Sequence, residues 1–312
     1  MSQKQIAIVI PFLNEEGNLP ELYRRVTAVF EKEPEEVRFV FVDDGSTDGS
    51  FQWLQKTRQN DPRVEILQLS RNFGHQIAIT AGMDYADADA VVIIDADLQD
   101  PPEAIADLLA KWREGFEVVY AVRRSREGET WIKKFLAASF YRVFHQMAKI
   151  KVPMDAGDFR LVDRKVVDAL KEVRELHRFM RGLTCWVGFR QCAVEYDRAA
   201  RLTGETKYPV WKSVRLAWDG ITSFSAKPLQ WMMNLGLLVA LIAALLSMRI
   251  IWQKLSGSGD LVSGWASLSV LILFLGGVQL VALGLLGQYI SRIFDESKKR
   301  PLYIVRSGKS DL

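Results

Sequence analysis

Residues 90–102 read AVVIIDADLQDPP and join a short apolar run directly to two carboxylates, Asp95 and Asp97. The run is rich in β-branched residues and is uninterrupted, which indicates a strand covered on both faces. Four similar runs lie in the first 125 residues, separated by helical stretches; they are 6–12, 37–42, 64–69 and 118–122. This alternation predicts an α/β fold with a doubly wound, mostly parallel sheet.

Two acidic clusters follow strands of this predicted sheet. Asp43 and Asp44 come after the second strand, and Asp95 and Asp97 come after the fourth. Ligands of such sheets bind beyond the carboxyl ends of the strands. A carboxylate pair completed by ligand phosphates is typical of Mg²⁺ or Mn²⁺. A solvated turn is the alternative interpretation of an Asp-x-Asp taken alone. The sequence has no Gly-x-Gly-x-x-Gly and no Walker loop, so the usual phosphate cradles are missing.

The composition excludes several classes of protein. The chain has 312 residues, and 41 Lys and Arg against 38 Asp and Glu leave a formal net charge of +3. So small a net charge argues against nucleic-acid binding driven by bulk charge, and 49% hydrophobic residues argue against a disordered chain. Two cysteines cannot build a disulfide scaffold. The histidines have no metal-ligand spacing, and we interpret them as structural; they are His75, His145 and His177.

Charged residues are unevenly distributed along the chain, because the segment 228–291 contains only three of them. Its two uncharged runs, 228–248 and 261–291, are both longer than the roughly 20 residues that a membrane-spanning helix needs. Buried helices of a soluble domain are the alternative, which the length of the runs disfavours. We therefore predict a transmembrane hairpin with helices at about 229–252 and 264–290.

Basic residues predict the orientation of this hairpin. Five Lys or Arg lie in residues 201–227 and six in 292–309, whereas the hairpin holds only Arg249 and Lys254. The positive-inside rule then places both flanks in the cytoplasm. No signal peptide precedes the first strand. The expected protein is a multi-pass membrane protein whose termini are both cytoplasmic.

Four motifs, in order along the chain, resemble those of family-2 glycosyltransferases. They are PFLNEEGNL (11–19), FVDDGSTDGS (41–50), IDADLQDPPE (94–103) and DAGDFRLVDRK (155–165). More narrowly, they resemble the bacterial polyprenyl-phosphate (bactoprenol) glucosyltransferases of the GtrB type, which are related to dolichol-phosphate mannose synthase. The resemblance covers nearly the whole chain, because this group also has two C-terminal spans. It implies a GT-A-like fold.

The resemblance also implies roles for individual residues. It implies that Asp95 and Asp97 bind the metal and that Ala96 and Gln99 lie close to it. Arg123 would contact the sugar or the phosphates. Arg201 and Lys207 would lie in a loop that closes over the diphosphate. The nucleotide pocket would be lined by Pro11, Leu13, Glu15, Val42 and Asp44.

The motif at 155–165 supplies candidates for the acceptor side. Asp155 and Asp158 are the candidate catalytic carboxylates, and we favour Asp158. A phosphate monoester with a second pKa of about 6 is already ionised at neutral pH, so Asp158 could position groups rather than act as a base. Arg160 and Arg164 could hold the acceptor phosphate, or they could be solvated at the surface.

The chain divides into four predicted regions. A nucleotide-sugar-binding core spans 1–130, an acceptor-side and juxtamembrane region 131–227, the hairpin 228–291 and a cytoplasmic tail 292–312. An amphipathic stripe at 131–149 predicts a helix at the membrane interface, although packing on the core explains the stripe equally well. A second candidate interfacial helix lies at 210–224.

The expected activity is inverting transfer of a hexose, with glucose favoured, from a UDP-sugar to undecaprenyl phosphate. Alternatives are the same chemistry with GDP-mannose, UDP-GlcNAc, UDP-galactose or an aminosugar donor, or a catalytically silent membrane scaffold. A processive polysaccharide synthase is disfavoured, because the chain lacks the Gln-x-x-Arg-Trp motif of that group. The resemblance suggests a homo-oligomer, specifically a tetramer.

A reporter fusion tests the predicted orientation. A fusion at Gly257, between the two predicted spans, should report an extracytoplasmic position, because the flanks carry most of the basic residues. A fusion after Leu312 is the control and should report the cytoplasm. A cytoplasmic signal at Gly257 would contradict the orientation.

Overall fold

The computed structural model describes residues 3–124, 156–196, 227–256 and 264–307. These residues form two compact units. The first unit contains residues 3–124, 156–196 and 300–307, and the second contains two long helices. The predicted interfacial helices at 131–149 and 210–224 lie outside the described residues.

The first unit alternates strands and helices in the order that the sequence predicts. Its strands are β1 (Gln5–Phe12), β2 (Glu36–Asp43), β3 (Val64–Leu69), β4 (Ala90–Ile93), β5 (Val118–Arg123), β6 (Ala156–Asp163), β7 (Gln191–Tyr196) and β8 (Val305–Ser307). Its helices are α1 (Leu19–Phe30), α2 (Ser50–Asn60), α3 (His75–Tyr85), α4 (Ile105–Arg113), α5 (Arg164–Glu172) and α6 (Met180–Trp186).

The strands form one mixed sheet in the order β7-β5-β6-β4-β1-β2-β3-β8. The four central strands, β1 to β4, are parallel, as predicted. Two strands at the flanks are reversed, because β6 runs antiparallel between β4 and β5, and β8 runs antiparallel to β3. The predicted α/β fold is therefore confirmed, as a mixed sheet in which most strands run in one direction.

The sheet is buried on both faces, which explains the uninterrupted apolar runs. Alternate residues of β1 contribute to one core cluster with the stacked rings of Phe39 and Phe41, whose centroids are 6.1 Å apart. Helix α3 packs on β1 and β2, and it approaches them closely at Gly82. A Cβ at that position would lie 2.3 Å from Val9 Cγ1 and 2.9 Å from Val42 Cγ2.

The C-terminal segment of the first unit covers the edge of the sheet. Strand β8 pairs with β3, and the Ser70 amide donates a hydrogen bond of 2.9 Å to the Ile304 carbonyl. The Tyr303 hydroxyl donates a hydrogen bond of 3.0 Å to Asp84. The backbone groups of the edge strand are thereby partly satisfied, which removes a template for pairing with other chains.

The second unit consists of α7 (Lys227–Leu255) and α8 (Trp265–Ser297), which contact each other. Large apolar side chains lie exposed along both helices, among them Leu237, Leu245 and Leu280. Within the described part of the chain, one segment is long and apolar enough to cross a membrane, Phe274–Ser297. The helical backbone runs through both predicted spans, and the transmembrane hairpin stays a prediction.

Gly82 offers a test of the packing between α3 and the sheet. Gly82→Ala should lower the free energy of unfolding by about 1–3 kcal/mol, because the added methyl group overpacks Val9 and Val42. Gly17→Ala is the control, since a Cβ at Gly17 meets no atom within 4 Å. Denaturant unfolding in detergent measures both variants, and equal stability of the two would contradict the close approach.

Candidate active site

A cavity of about 270 Å³ lies beyond the carboxyl ends of β1, β2 and β4. This is the place where open α/β sheets bind their ligands. The cavity is lined by seven of the residues that the sequence predicts for the site: Pro11, Leu13, Glu15, Asp44, Asp95, Ala96 and Asp97. The structure therefore brings most of the predicted nucleotide and metal residues to one cavity.

The loop after β4 holds the carboxylate pair in a constrained backbone. Leu98 has a φ of 56°, which is uncommon for a residue with a side chain and is typical of functional loops. The backbone N–H of Gln99 donates a hydrogen bond of 3.1 Å to Asp97 Oδ1, which closes the turn around the carboxylate. Gln99 itself is buried and does not line the cavity.

Asp95 has the environment of a cation ligand. Burial raises its pKa to about 6, and the charge of His75 only partly offsets this. Its Oδ1 atom is buried and accepts no hydrogen bond. His75 Nε2 lies 3.4 Å from this oxygen, which is a long contact, so a bound cation would stabilise the buried carboxylate further.

Asp95 and Asp97 fit a divalent cation that is completed by the ligand. No group of three or more His, Cys, Asp or Glu side chains among the described residues could hold a metal ion by itself. Mg²⁺ typically takes one or two carboxylates and fills its remaining positions with water and substrate phosphates. The pair therefore suits a cation that arrives with a diphosphate.

Asp158 lies beside this loop on the neighbouring strand. The antiparallel pairing of β6 with β4 sets Arg160 opposite Ile93, so Asp158 falls next to the end of β4. Arg181 donates from Nε to Oδ1 at 2.9 Å and from Nη2 to Oδ2 at 3.2 Å, and Gln76 donates to Oδ2 at 3.1 Å. Asp158 is only 7% exposed.

Neighbouring positive charges and hydrogen-bond donors set the ionisation state of Asp158. Burial alone would raise the pKa of its carboxyl group, but the hydrogen bond from His75 and the charges of Arg181 and Arg160 hold that pKa well below its usual value. The carboxyl group is therefore an ionised acceptor of hydrogen bonds. A base with so low a pKa takes up a proton poorly at neutral pH.

His75 is a site residue that the sequence analysis missed. Its Nε2 atom lies 3.4 Å from Asp95 Oδ1 and 3.4 Å from Asp158 Oδ2, so it bridges the two carboxylates. Burial lowers the pKa of His75, but the hydrogen bond to Asp158 and the charge of Asp95 outweigh burial and raise it overall. The interpretation of His75 as purely structural is corrected, and only the fold could reveal this, because a lone histidine has no motif.

Asp44 positions the start of α3. Its Oδ1 accepts a hydrogen bond from the Phe73 amide at 2.7 Å, and its Oδ2 accepts one from the Gly74 amide at 3.0 Å. Gly74 has a φ of 100°, which a residue with a side chain rarely adopts. The next residues of the chain are His75 and Gln76, so the Asp44 carboxylate fixes the segment that reaches Asp95 and Asp158.

Three predicted site residues do not line this cavity. Val42 is fully buried beneath α3. Arg160 is 2% exposed, and its guanidinium donates to Thr184 Oγ1 and the Gly157 carbonyl. Arg164 follows Asp163, which pairs with Ala90 at the amino end of β4. The proposed acceptor-phosphate role of both arginines is therefore not supported.

The ion pairs of Arg164 agree with its position. Its side chain contacts Asp168 at 2.8 Å and Asp87 at 3.3 Å. These pairs are at the surface and at the opposite end of the strand from Asp158. The alternative from the sequence, a solvated surface arginine, describes Arg164 better.

The remaining predicted residues are only partly covered by the structure. Arg123 is the last residue of β5 and pairs with Tyr196, and its side chain lies outside the described part. Asp155, Arg201 and Lys207 lie outside the described residues. Their roles stay predictions.

Comparison with known proteins agrees with this geometry. The glycosyl transferase family 2 model matches residues 7–171. The glycosyltransferase YkcC of Bacillus subtilis is 51% identical over 304 residues, covering 97% of this chain and 94% of that protein. A bactoprenol glucosyl transferase of Shigella phage SfV is 43% identical over 305 residues, covering 98% of this chain and 99% of that protein.

A solved structure supports the same fold. Mannosyl-3-phosphoglycerate synthase from Rubrobacter xylanophilus aligns with a TM-score of 0.50 at 16% identity, over 74% of this chain and 75% of that chain. The mixed sheet with its carboxylate pair at the carboxyl edge is thus a GT-A fold. The chain belongs to glycosyl transferase family 2.

The buried carboxylate of Asp158 predicts a difference in stability between two Asp→Asn variants. Asp158→Asn should lower the free energy of unfolding by about 3 kcal/mol, because it leaves the arginines around it without their counter-charge. Asp168→Asn removes an exposed partner of Arg164 and should cost less than about 1 kcal/mol. Thermal unfolding in detergent compares them, and an equal loss would contradict the buried ion pair.

Proposed function

We propose that this protein is an inverting glycosyltransferase that moves a hexose from a UDP-sugar to undecaprenyl phosphate at the cytoplasmic face of a bacterial inner membrane. Glucose is the favoured sugar. The observation that carries the proposal is the placement of the Asp95–Asp97 pair beside the Asp158–Arg181 pair, across two neighbouring strands. One pair suits a sugar donor with a diphosphate, and the other suits a second, anionic substrate.

The donor would occupy the cavity at the ends of β1, β2 and β4. Pro11, Leu13, Glu15 and Asp44 would surround the nucleotide. Asp95 and Asp97 would hold Mg²⁺ or Mn²⁺, which when bound offsets the negative charge that grows on the leaving diphosphate. Arg123, Arg201 and Lys207 would supply further positive charge to the phosphates.

The acceptor would react from the side of Asp158. A phosphate oxygen of undecaprenyl phosphate forms a bond to the anomeric carbon, and the bond from that carbon to the diphosphate breaks, with its electron pair leaving on the nucleoside diphosphate. A single displacement inverts the anomeric centre, so an α-linked donor gives a β-linked product. The acceptor phosphate is already ionised, with a second pKa of about 6, so no strong base is required.

The names of the relatives support this choice of acceptor. The protein of Shigella phage SfV is a bactoprenol glucosyl transferase, and it matches this chain over nearly the full length of both. We propose that α7 and α8 span the bilayer as a hairpin with both flanks in the cytoplasm. The predicted boundaries at 130, 227 and 291, and a homo-oligomer such as a tetramer, belong to the same proposal.

Two alternatives make different predictions. The same chemistry could use GDP-mannose, UDP-GlcNAc, UDP-galactose or an aminosugar donor, since all of these donors carry a diphosphate or phosphate that the same carboxylate-bound cation would hold. A catalytically silent scaffold would keep the fold without turnover. The convergence of Asp95, Asp97 and Asp158 at one site argues against a scaffold.

A transfer assay tests the proposal. Purified protein in detergent receives labelled nucleotide sugars one at a time, a short polyprenyl phosphate and Mg²⁺ or Mn²⁺. We expect a chloroform-extractable sugar lipid, formed fastest with UDP-glucose. No product with any donor would refute the function, and a faster reaction with another donor would correct the sugar.

A matched pair of variants tests the carboxylate pair in that assay. Asp97→Asn should lower turnover by at least about a hundredfold at every metal concentration, because it removes a cation ligand. Asp107→Asn, at an exposed position in the first turn of α4, is the control and should keep normal turnover. Near-normal activity of Asp97→Asn would contradict the metal role.

A further inference from the structure

We propose that Arg181, in the first turn of α6, binds the phosphate of the lipid acceptor, and that Asp158 holds its guanidinium in position for this. The inference rests on the proposed function and assigns a residue to its acceptor side. Arg181 lies outside the four motifs that identify the family resemblance. The inference therefore comes from the contacts in the folded chain.

The arginines of the motif at 155–165 leave this role open. Arg160 is buried and donates to Thr184 and to the Gly157 carbonyl, so its charge supports Asp158 from inside the fold. Arg164 lies at the opposite end of β6. Neither guanidinium is therefore exposed beside Asp158.

Arg181 has both the position and the exposure for the role. It contacts Asp158 through Nε and Nη2, and 32% of its side chain is exposed, against 7% for Asp158. Asp158 in turn lies 3.4 Å from His75, a residue that lines the donor cavity. The guanidinium is thus at the boundary between the buried carboxylate and solvent, beside the reaction cavity.

Gln76 makes this arrangement rigid. Its Nε2 donates to Asp158 at 3.1 Å, and its Oε1 accepts a hydrogen bond of 2.9 Å from the amide of Met180, the residue before Arg181. One side chain therefore ties the start of α6 to the carboxylate that holds the guanidinium. A group held at both its backbone and its side chain loses little entropy when it binds a ligand.

The charges of the site require such a group. Asp95 and Asp97 line the cavity and Asp158 lies beside them, so three carboxylates would repel an anionic acceptor. The two-point contact of Arg181 with Asp158 offsets the charge of that carboxylate and orients a planar guanidinium, whose geometry suits phosphate. His75 adds positive charge between Asp95 and Asp158 when it is protonated.

Steady-state kinetics on the full-length protein in detergent test this role. Arg181→Gln should raise KM for the polyprenyl phosphate by about tenfold to a hundredfold, the range for a lost hydrogen bond to a charged group. KM for the nucleotide sugar, and hydrolysis of that sugar without acceptor, should stay within about twofold, because the donor cavity is unchanged. Arg190→Gln, at an exposed arginine in the loop after α6, is the control and should leave all three values unchanged.

A second variant covers the case in which Arg181→Gln does not fold. Arg181→Lys keeps the charge but loses the planar two-point contact, and it should raise the acceptor KM several-fold. An unchanged acceptor KM in either variant, or an equal rise in the donor KM, would overturn the inference. Absence of transfer by the wild-type protein would instead refute the proposed function, so the two failures are distinguishable.

Discussion

The antiparallel insertion of β6 beside β4 is the constraint on which the candidate site depends. Because β6 enters the sheet where β4 ends, its first residues lie next to the loop that carries Asp95 and Asp97. A parallel β6 would begin at the other edge of the sheet and would carry Asp158 away from the cavity. One change of strand direction therefore joins two carboxylate groups that are far apart in the sequence.

The start of α3 connects the parts of this arrangement. The Asp44 carboxylate holds the amides of Phe73 and Gly74, and the following side chains, His75 and Gln76, reach Asp158. The residue predicted to contact the nucleotide is thus also the anchor of the segment that organises the acceptor side. A ligand that competes for Asp44 would act on both halves of the site through the same short segment of backbone.

The central sheet could be predicted because each strand is a local pattern. Short, β-branched apolar runs identify β1 to β5, and the parallel order follows from the helices between them. Strand β6 carries alternating charged and apolar residues rather than an uninterrupted apolar run, so neither its position nor its orientation could be derived from the sequence.

The roles of Arg160 and Arg181 show the same limit in the site. Both are arginines near Asp158. The sequence favoured Arg160 because it lies in the motif at 155–165. The strand places Arg160 on the same face as Asp158 but inside the fold, whereas the helix leaves Arg181 partly exposed. Burial, which depends on the packing of α6, separates a supporting residue from one that can meet a ligand.

The environments of Asp95 and Asp158 shift the pKa values of the two carboxyl groups in opposite directions. Burial raises the pKa of Asp95 and His75 only partly offsets it, while a histidine and two arginines overcome burial and lower the pKa of Asp158. A reaction between two phosphate-bearing substrates needs positive charge on both sides of the sugar. On the side of Asp95 the protein provides carboxylates, so in the proposed reaction the charge would come with a bound cation. On the side of Asp158 the charge belongs to the arginines of the chain itself, and the proposed acceptor phosphate would bind there without a second metal ion.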